Sequence, residues 1–145
     1  MHCIEVYKVS PFTVASDTDL SGAEFDELVT NKIQPAIDEY ANKYNLPRLG
    51  RGWKIVEDQS ADESDIIIDD VKEEQSVYTV KVFLDQEFVG GEIEFFHRGV
   101  LITPVPGDIL IYPSSYINSY RVKPITSGSQ RYLFNKYRFP GTEEG

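Results

Sequence analysis

The side chains that most often bind metals or attack substrates are scarce in this chain: two histidines, His2 and His97, and one cysteine, Cys3. His2 precedes the first apolar run and reads as a surface residue; His97 stands beside Arg98-Gly99, where a turn histidine is expected. Cys3 opens the run Cys3-Ile4-Glu5-Val6-Tyr7 and is expected to be a packed thiol rather than a nucleophile. A single cysteine forms no internal disulfide, and no Cys/His zinc spacing is present. Carboxylates are plentiful, and pairs such as Asp69-Asp70 or Glu92 and Glu94 are the type that performs acid–base work. With 24 acidic residues such pairs are expected by composition, and Glu92 and Glu94 share one strand face that reads as a solvated edge. The acid-rich stretch Glu57–Asp65 lacks the alternating ligands and central glycine of a calcium loop, so it reads as a solvated loop. There is no G-x-S-x-G and no phosphate-binding glycine loop.

The elements that would position these residues follow from periodicity. Residues 4–14 read as a short strand, followed by the polar turn Ser16-Asp17-Thr18-Asp19. Ser21 and Glu24 have the spacing of a capping box. Phe25, Leu28, Val29, Ile33, Ala36, Ile37, Tyr40 and Tyr44 then recur at three- and four-residue intervals, which predicts a helix with one apolar face. Pro35 removes an internal hydrogen bond, so a kink or break is expected there, and Asn45-Leu46-Pro47 ends the helical region. Trp53–Val56 reads as a strand. From residue 66 onward strands follow closely: 66–68, 78–84, 92–96, 100–103, 108–112, 120–125 and 131–139. In the second, Tyr78, Val80, Val82 and Leu84 alternate with Thr79, Lys81 and Phe83, the period of a half-buried strand. Gly90-Gly91, Arg98-Gly99, Pro106-Gly107-Asp108 and Ser127-Gly128-Ser129 punctuate them as turns. Short strands separated by such turns predict a sandwich or jelly roll, and residues 1–145 read as a single domain without a repeat or linker.

Several fragments recur in order: Tyr78–Asp85 (YTVKVFLD), Phe88–Phe95 (FVGGEIEF), Thr103–Ser115 (TPVPGDILIYPSS), Tyr120–Gly128 (YRVKPITSG) and Arg131-Tyr132. Together they resemble the 2-oxoglutarate/Fe(II)-dependent oxygenases of the prolyl-hydroxylase type. That family carries a YLN, a GGE-x-F, a P-x-x-G-x-x-x-x-FPS and a final H-x-V-x-P-V-x-x-G-x-R-Y. The resemblance covers roughly residues 66–139, and phage-encoded members look especially similar around Pro113-Ser-Ser. It implies a mainly β, α+β fold: a double-stranded β-helix with the N-terminal helix packed on the sheet.

The resemblance also implies where chemistry would sit. In the family two histidines and one carboxylate bind iron and leave positions open for 2-oxoglutarate and oxygen. The family's H-x-D falls at Ile67-Ile68-Asp69, so the carboxylate is retained while Ile67 occupies the first histidine's place. The distal histidine precedes x-V-x-P, which puts Tyr120 at its position. The basic residue that anchors the 2-oxoglutarate carboxylate has a counterpart in Arg131. Here, however, Gly128-Ser-Gln-Arg131 is one residue longer than G-x-R, which reverses the side-chain face unless a bulge absorbs it. No catalytic residue and no bound metal are therefore expected. The inter-sheet pocket is expected to be filled by Ile67 and Tyr120.

Composition narrows the partners. The balance of 14 basic against 24 acidic residues gives a formal charge of -10, which repels phosphate backbones and anionic lipid. Arg131, Lys136 and Arg138 form a loose basic group that reads as solvated strand ends. No basic, apolar leader opens the sequence, and no run approaches the ~18 apolar residues of a membrane span. A cytoplasmic or virion location without a secretory signal is expected, with neither nucleic acid nor membrane as partner. If ordered, the polar tail Gly141–Gly145 would need neighbouring chains to hold it. The leading expectation is a non-catalytic subunit of a larger assembly, such as a phage virion or tail, contacting other subunits through Tyr112, Tyr116, Tyr120 and Tyr137. The alternatives are an active dioxygenase using Fe(II) and 2-oxoglutarate on a prolyl or other side chain, and a jelly roll that binds sugar or peptide.

Overall fold

The computed structural model describes residues 3–14, 17–59, 61–64, 67, 77–85, 87–114 and 118–138, with the backbone alone at 17 and 18. Met1, His2 and residues 139–145 lie outside the described residues, as do Asp69, Asp70 and Tyr116.

The chain opens with strand β1 (Glu5–Lys8), shorter than the expected 4–14. A 3-10 turn at Asp17–Ser21 leads to helix α1 (Ala23–Leu28). The capping box does not form: Gly22 is the N-cap, and no side chain caps the helix. The helix starts too late in the sequence for the Ser21 hydroxyl to reach its first free N–H groups. The expected break is real. Residues Val29–Ile33 form a π-helical turn, in which the Gln34 N–H bonds the Val29 carbonyl, before helix α2 (Gln34–Tyr44). Pro35 explains it. Its ring would strike the carbonyl one turn back and it has no N–H to give, so the backbone widens just before it, and Pro35 then fits the first turn of α2. The helix ends where expected: Asn45 takes a left-handed conformation (φ 56°), and the Leu46 N–H bonds the Ala41 carbonyl at 2.8 Å.

The strands that follow are β2 (Leu49–Gly50), β3 (Lys54–Asp58), β4 (Tyr78–Phe83), β5 (Phe88–Gly90), β6 (Ile93–Phe95) and β7 (Val100–Ile102), then β8 (Asp108–Pro113), β9 (Arg121–Val122), β10 (Ile125–Gly128) and β11 (Gln130–Arg138). The larger sheet runs β1-β8-β4-β11-β2, with β3 also on β11; the smaller runs β7-β6-β9, and β5 pairs with β10. Every pairing is antiparallel. The result is a mainly β jelly roll whose larger sheet carries the helices on one face and the smaller sheet on the other.

This layering corrects the reading of β4 as half-buried. All six of its residues are buried, as are those of β8. Tyr78, Val80, Val82, Ile109, Ile111, Leu133 and Tyr137 pack with Phe25, Ile33, Ile37 and Tyr40 from the helical region. Phe83, Leu110, Tyr112 and Tyr132 pack instead with Ile93, Phe95, Tyr120 and Val122 of the smaller sheet. A central strand covered on both sides gives neither alternating face to water.

Other expectations change with it. Cys3 is exposed rather than packed, because it precedes β1, a strand at the margin of the larger sheet. Glu92 and Glu94 do not form a solvated edge: β6 lies between β7 and β9, and Glu94 pairs with Lys123 at 3.2 Å. Arg131 and Arg138 do stand at the ends of β11, with Lys136 near the second, but β11 lies between β4 and the β2/β3 side and all three are half-buried rather than solvated. Tyr112, Tyr120 and Tyr137 are core residues, not surface anchors. Apolar rings with a hydroxyl at one end are well suited to a core where the hydroxyl finds a partner. Ser127 and Gly128, read as part of a turn, belong to strand β10 instead.

Candidate functional site

Alternation along β4 decides what faces the smaller sheet. Tyr78, Val80 and Val82 turn to the helices, which leaves Thr79, Lys81 and Phe83 between the sheets. Thr79 and Ser114 join their hydroxyls at 2.9 Å, both buried. Lys81 is only 4% exposed. Its ammonium donates to the Tyr120 hydroxyl at 2.7 Å and lies 4.3 Å from the Tyr120 ring centroid, 5.1 Å from that of Tyr132 and 5.7 Å from that of Tyr112. Burying an ammonium is costly unless it is paired. Each ring face offsets about 0.5–2 kcal/mol of that cost, and the charged hydrogen bond to a phenol adds to it. Phe95 holds the rings in place, 5.0 Å from Tyr112 and 5.5 Å from Tyr120.

Tyr120 itself is fixed through its backbone. The Ile67 N–H donates to the Tyr120 carbonyl at 2.8 Å, and the Tyr120 N–H donates back to Ile67 at 3.0 Å. This antiparallel bridge puts Ile67 and Tyr120 side by side, and the Ile67 side chain packs into the inter-sheet apolar cluster. The structure thus brings two of the sequence-predicted positions together. Asp69, the third, lies outside the described residues.

Arg131 goes elsewhere. On β11 it alternates in phase with Leu133 and Tyr137, which pack on the helical side, while Tyr132 packs between the sheets. Its Nε stands 3.6 Å from Glu57 Oε1. The β11 register runs without a bulge against β3 and β4 from Gln130 to Tyr137. Gln130 takes the position two after Gly128; it is buried, and its amide donates to the Gly91 carbonyl at 2.9 Å. That contact explains the second glycine of the Gly90-Gly91 pair. A Cβ on Gly91 would stand 2.6 Å from the Gln130 amide nitrogen, and one on Gly90 would stand 2.2 Å from the Pro124 carbonyl oxygen. Both glycines hold positive φ angles, 88° and 70°.

His97 is exposed in the turn after β6, its ring 4.7 Å from that of Phe96. Among the described residues no three His, Cys, Asp or Glu side chains group as a metal site would require. A surface hollow of about 700 Å³ runs along α1, lined by Thr13, Asp19, Glu24, Phe25, Leu28 and Lys32 among others, away from the inter-sheet residues. Lys81 and Gln130 are the site residues that sequence reasoning missed. A signal for Lys81 was present: β8 reads Ile-Leu-Ile-Tyr, apolar on both faces, so its neighbour β4 had to be covered on both faces too.

No protein-family model matches the sequence, and no curated protein does. Solved structures do match. The viral collagen prolyl hydroxylase of Paramecium Bursaria Chlorella virus-1, in its 2OG complex, superposes with a TM-score of 0.61 at 13% identity, over 93% of this chain and 78% of its own. An oxidoreductase of the 2OG-Fe(II) oxygenase family from Burkholderia pseudomallei gives 0.64 at 14%, over 94% of this chain and 69% of its own. A Pseudomonas putida prolyl-4-hydroxylase gives 0.61 at 13%, over 96% of this chain and 86% of its own. At these identities the likeness is one of fold. No helix among the described residues is long and apolar enough to cross a membrane.

Proposed function

We propose that this chain, folded as the 2-oxoglutarate/Fe(II) oxygenases are, keeps their scaffold without their metal and serves as a structural or binding subunit of a larger assembly. The observation that carries the reading is the Lys81 ammonium on the Tyr120 hydroxyl, 2.7 Å apart between the sheets. Tyr120 stands at the position of the distal histidine, and its oxygen already accepts a hydrogen bond from a cation. Ile67 beside it has no lone pair to offer. A dication placed beside that ammonium would be repelled by it. Among the described residues the donor set therefore does not fit iron, and the retained carboxylate position, Asp69, does not by itself make a facial triad. The anchor for 2-oxoglutarate fits no better, with Gln130 committed to Gly91 and Arg131 in phase with the opposite face.

A scaffold without its chemistry still offers surface. Val89, Leu101 and Val105 are exposed apolar side chains, and Leu101 lies on β7, at the margin of the smaller sheet. The phage-type sequence resemblance favours a virion or tail as the assembly. Titration calorimetry with Fe(II), or Mn(II) in its place, with and without 2-oxoglutarate, tests the metal half of the proposal. No heat at millimolar metal is the expected result. Micromolar binding strengthened by 2-oxoglutarate would overturn it in favour of an active dioxygenase. Recovery of the chain in purified assembled particles tests the other half, and its absence from them would remove the virion role.

A further inference from the structure

The surroundings of Lys81 form a cation box. Its three rings come from different parts of the chain: Tyr112 from β8, Tyr132 from β11, and Tyr120 from the residue before β9. All three centroids lie within 5.7 Å of the ammonium nitrogen, inside the ~6 Å over which a ring face attracts a cation. Tyr112 is wholly buried and Tyr120 is 4% exposed, so little water competes for the charge. The Tyr120 hydroxyl adds an oxygen acceptor at 2.7 Å.

We propose that this box is a binding site for a primary alkylammonium group, and that the chain's own Lys81 is its resident ligand. The inference rests on the reading that no metal is held between the sheets. Ring faces and a phenol oxygen suit a singly charged ammonium with N–H bonds to donate. The lysine stem is the tether. Cutting residue 81 back to alanine leaves the stem's volume empty beside the rings, and an apolar cavity of that kind admits a small molecule that refills it.

The experiment compares thermal melts of wild type, Lys81→Ala and Lys81→Met, alone and with n-butylammonium or the neutral n-butanol. Lys81→Met keeps most of the stem and loses the charge; its Tm is expected to fall by about 5 °C or more. Lys81→Ala is expected to fall further, and to recover about 5 °C in a saturable manner with n-butylammonium. The alcohol is expected to return less than a third of that recovery, and wild type to respond to neither. Three results overturn the proposal. They are a Lys81→Met Tm equal to that of wild type, a Lys81→Ala recovery as large with the alcohol, and a Lys81→Ala chain that recovers with neither compound. A Lys81→Ala chain that never folds, with either compound, counts as the third. Failure of the metal-free reading shows separately, as heat from wild type titrated with Fe(II) or Mn(II) and 2-oxoglutarate.

Discussion

The ammonium of Lys81 and the hydroxyl of Tyr120 meet at 2.7 Å across the space between the two sheets, each side chain 4% exposed. Lys81 belongs to the middle of the larger sheet, while Tyr120 hangs beside Ile67 on the smaller one. The bond is therefore a polar tie between layers that otherwise adhere through Phe83, Ile93, Phe95 and Leu110. Its worth lies in the cost of leaving either partner unmatched.

Tyr120→Phe keeps the ring and removes the oxygen that accepts from Lys81. A buried charge that loses a hydrogen-bond partner costs about 1–3 kcal/mol, so the urea midpoint should fall by that amount with an unchanged slope. Combined with Lys81→Met, the second change should cost less than it does alone, by about 1 kcal/mol. Strict additivity would mean that the two groups do not interact.

Glu5 binds β1 to α2. Its carboxylate accepts from Lys43 at 2.8 Å, from Tyr7 at 2.9 Å and from the Tyr44 hydroxyl. Burial works to raise its pKa, but the hydrogen bonds from Lys43, Tyr44 and Tyr7 outweigh it and hold the carboxyl below its usual value. With the folded pKa below the unfolded one, the stabilisation is present above the ordinary carboxyl range and is lost as pH falls through the folded value. Glu5→Gln should lower Tm by about 2–4 °C at pH 7. The gap to wild type should shrink progressively as the pH falls below the ordinary glutamate value of about 4.3. A gap that stays constant from pH 7 to pH 3 would show that the charge plays no part.

Gly90→Ala should be among the most damaging small substitutions. The position combines φ 88° with a Cβ site 2.2 Å from the backbone oxygen of Pro124, which cannot rotate away as a side chain would. A loss of about 3 kcal/mol or more is expected in urea unfolding. Gly99→Ala has a comparable φ of 66° but open space around the Cβ, so it should lose only about 1 kcal/mol. Equal losses would mean that backbone strain, not crowding, limits Gly90.

Local chemistry made much of the fold legible. The helix stop at Asn45 and the break at Pro35 follow from residues that act on their own backbone. The positions of β4, β6, β7, β8 and β11 follow from apolar runs between turn residues. The same pattern failed where tertiary packing overrode it. Thr79, Lys81 and Phe83 read as the outer side of a half-buried strand, because a strand with alternating residues looks alike whether its second face meets water or another sheet.

The sequence by itself determined which side chains are present and how they are spaced: isoleucine at 67, tyrosine at 120, and two residues between Gly128 and Arg131. Those are facts of identity and spacing, and no fold can change them. Only the tertiary structure decided that Ile67 and Tyr120 bridge, that Arg131 shares the face of Leu133, and that a lysine from another strand reaches Tyr120 among three rings. These depend on strand register and on which sheet covers which face, set by pairings between residues far apart in the chain. No local pattern carries that information.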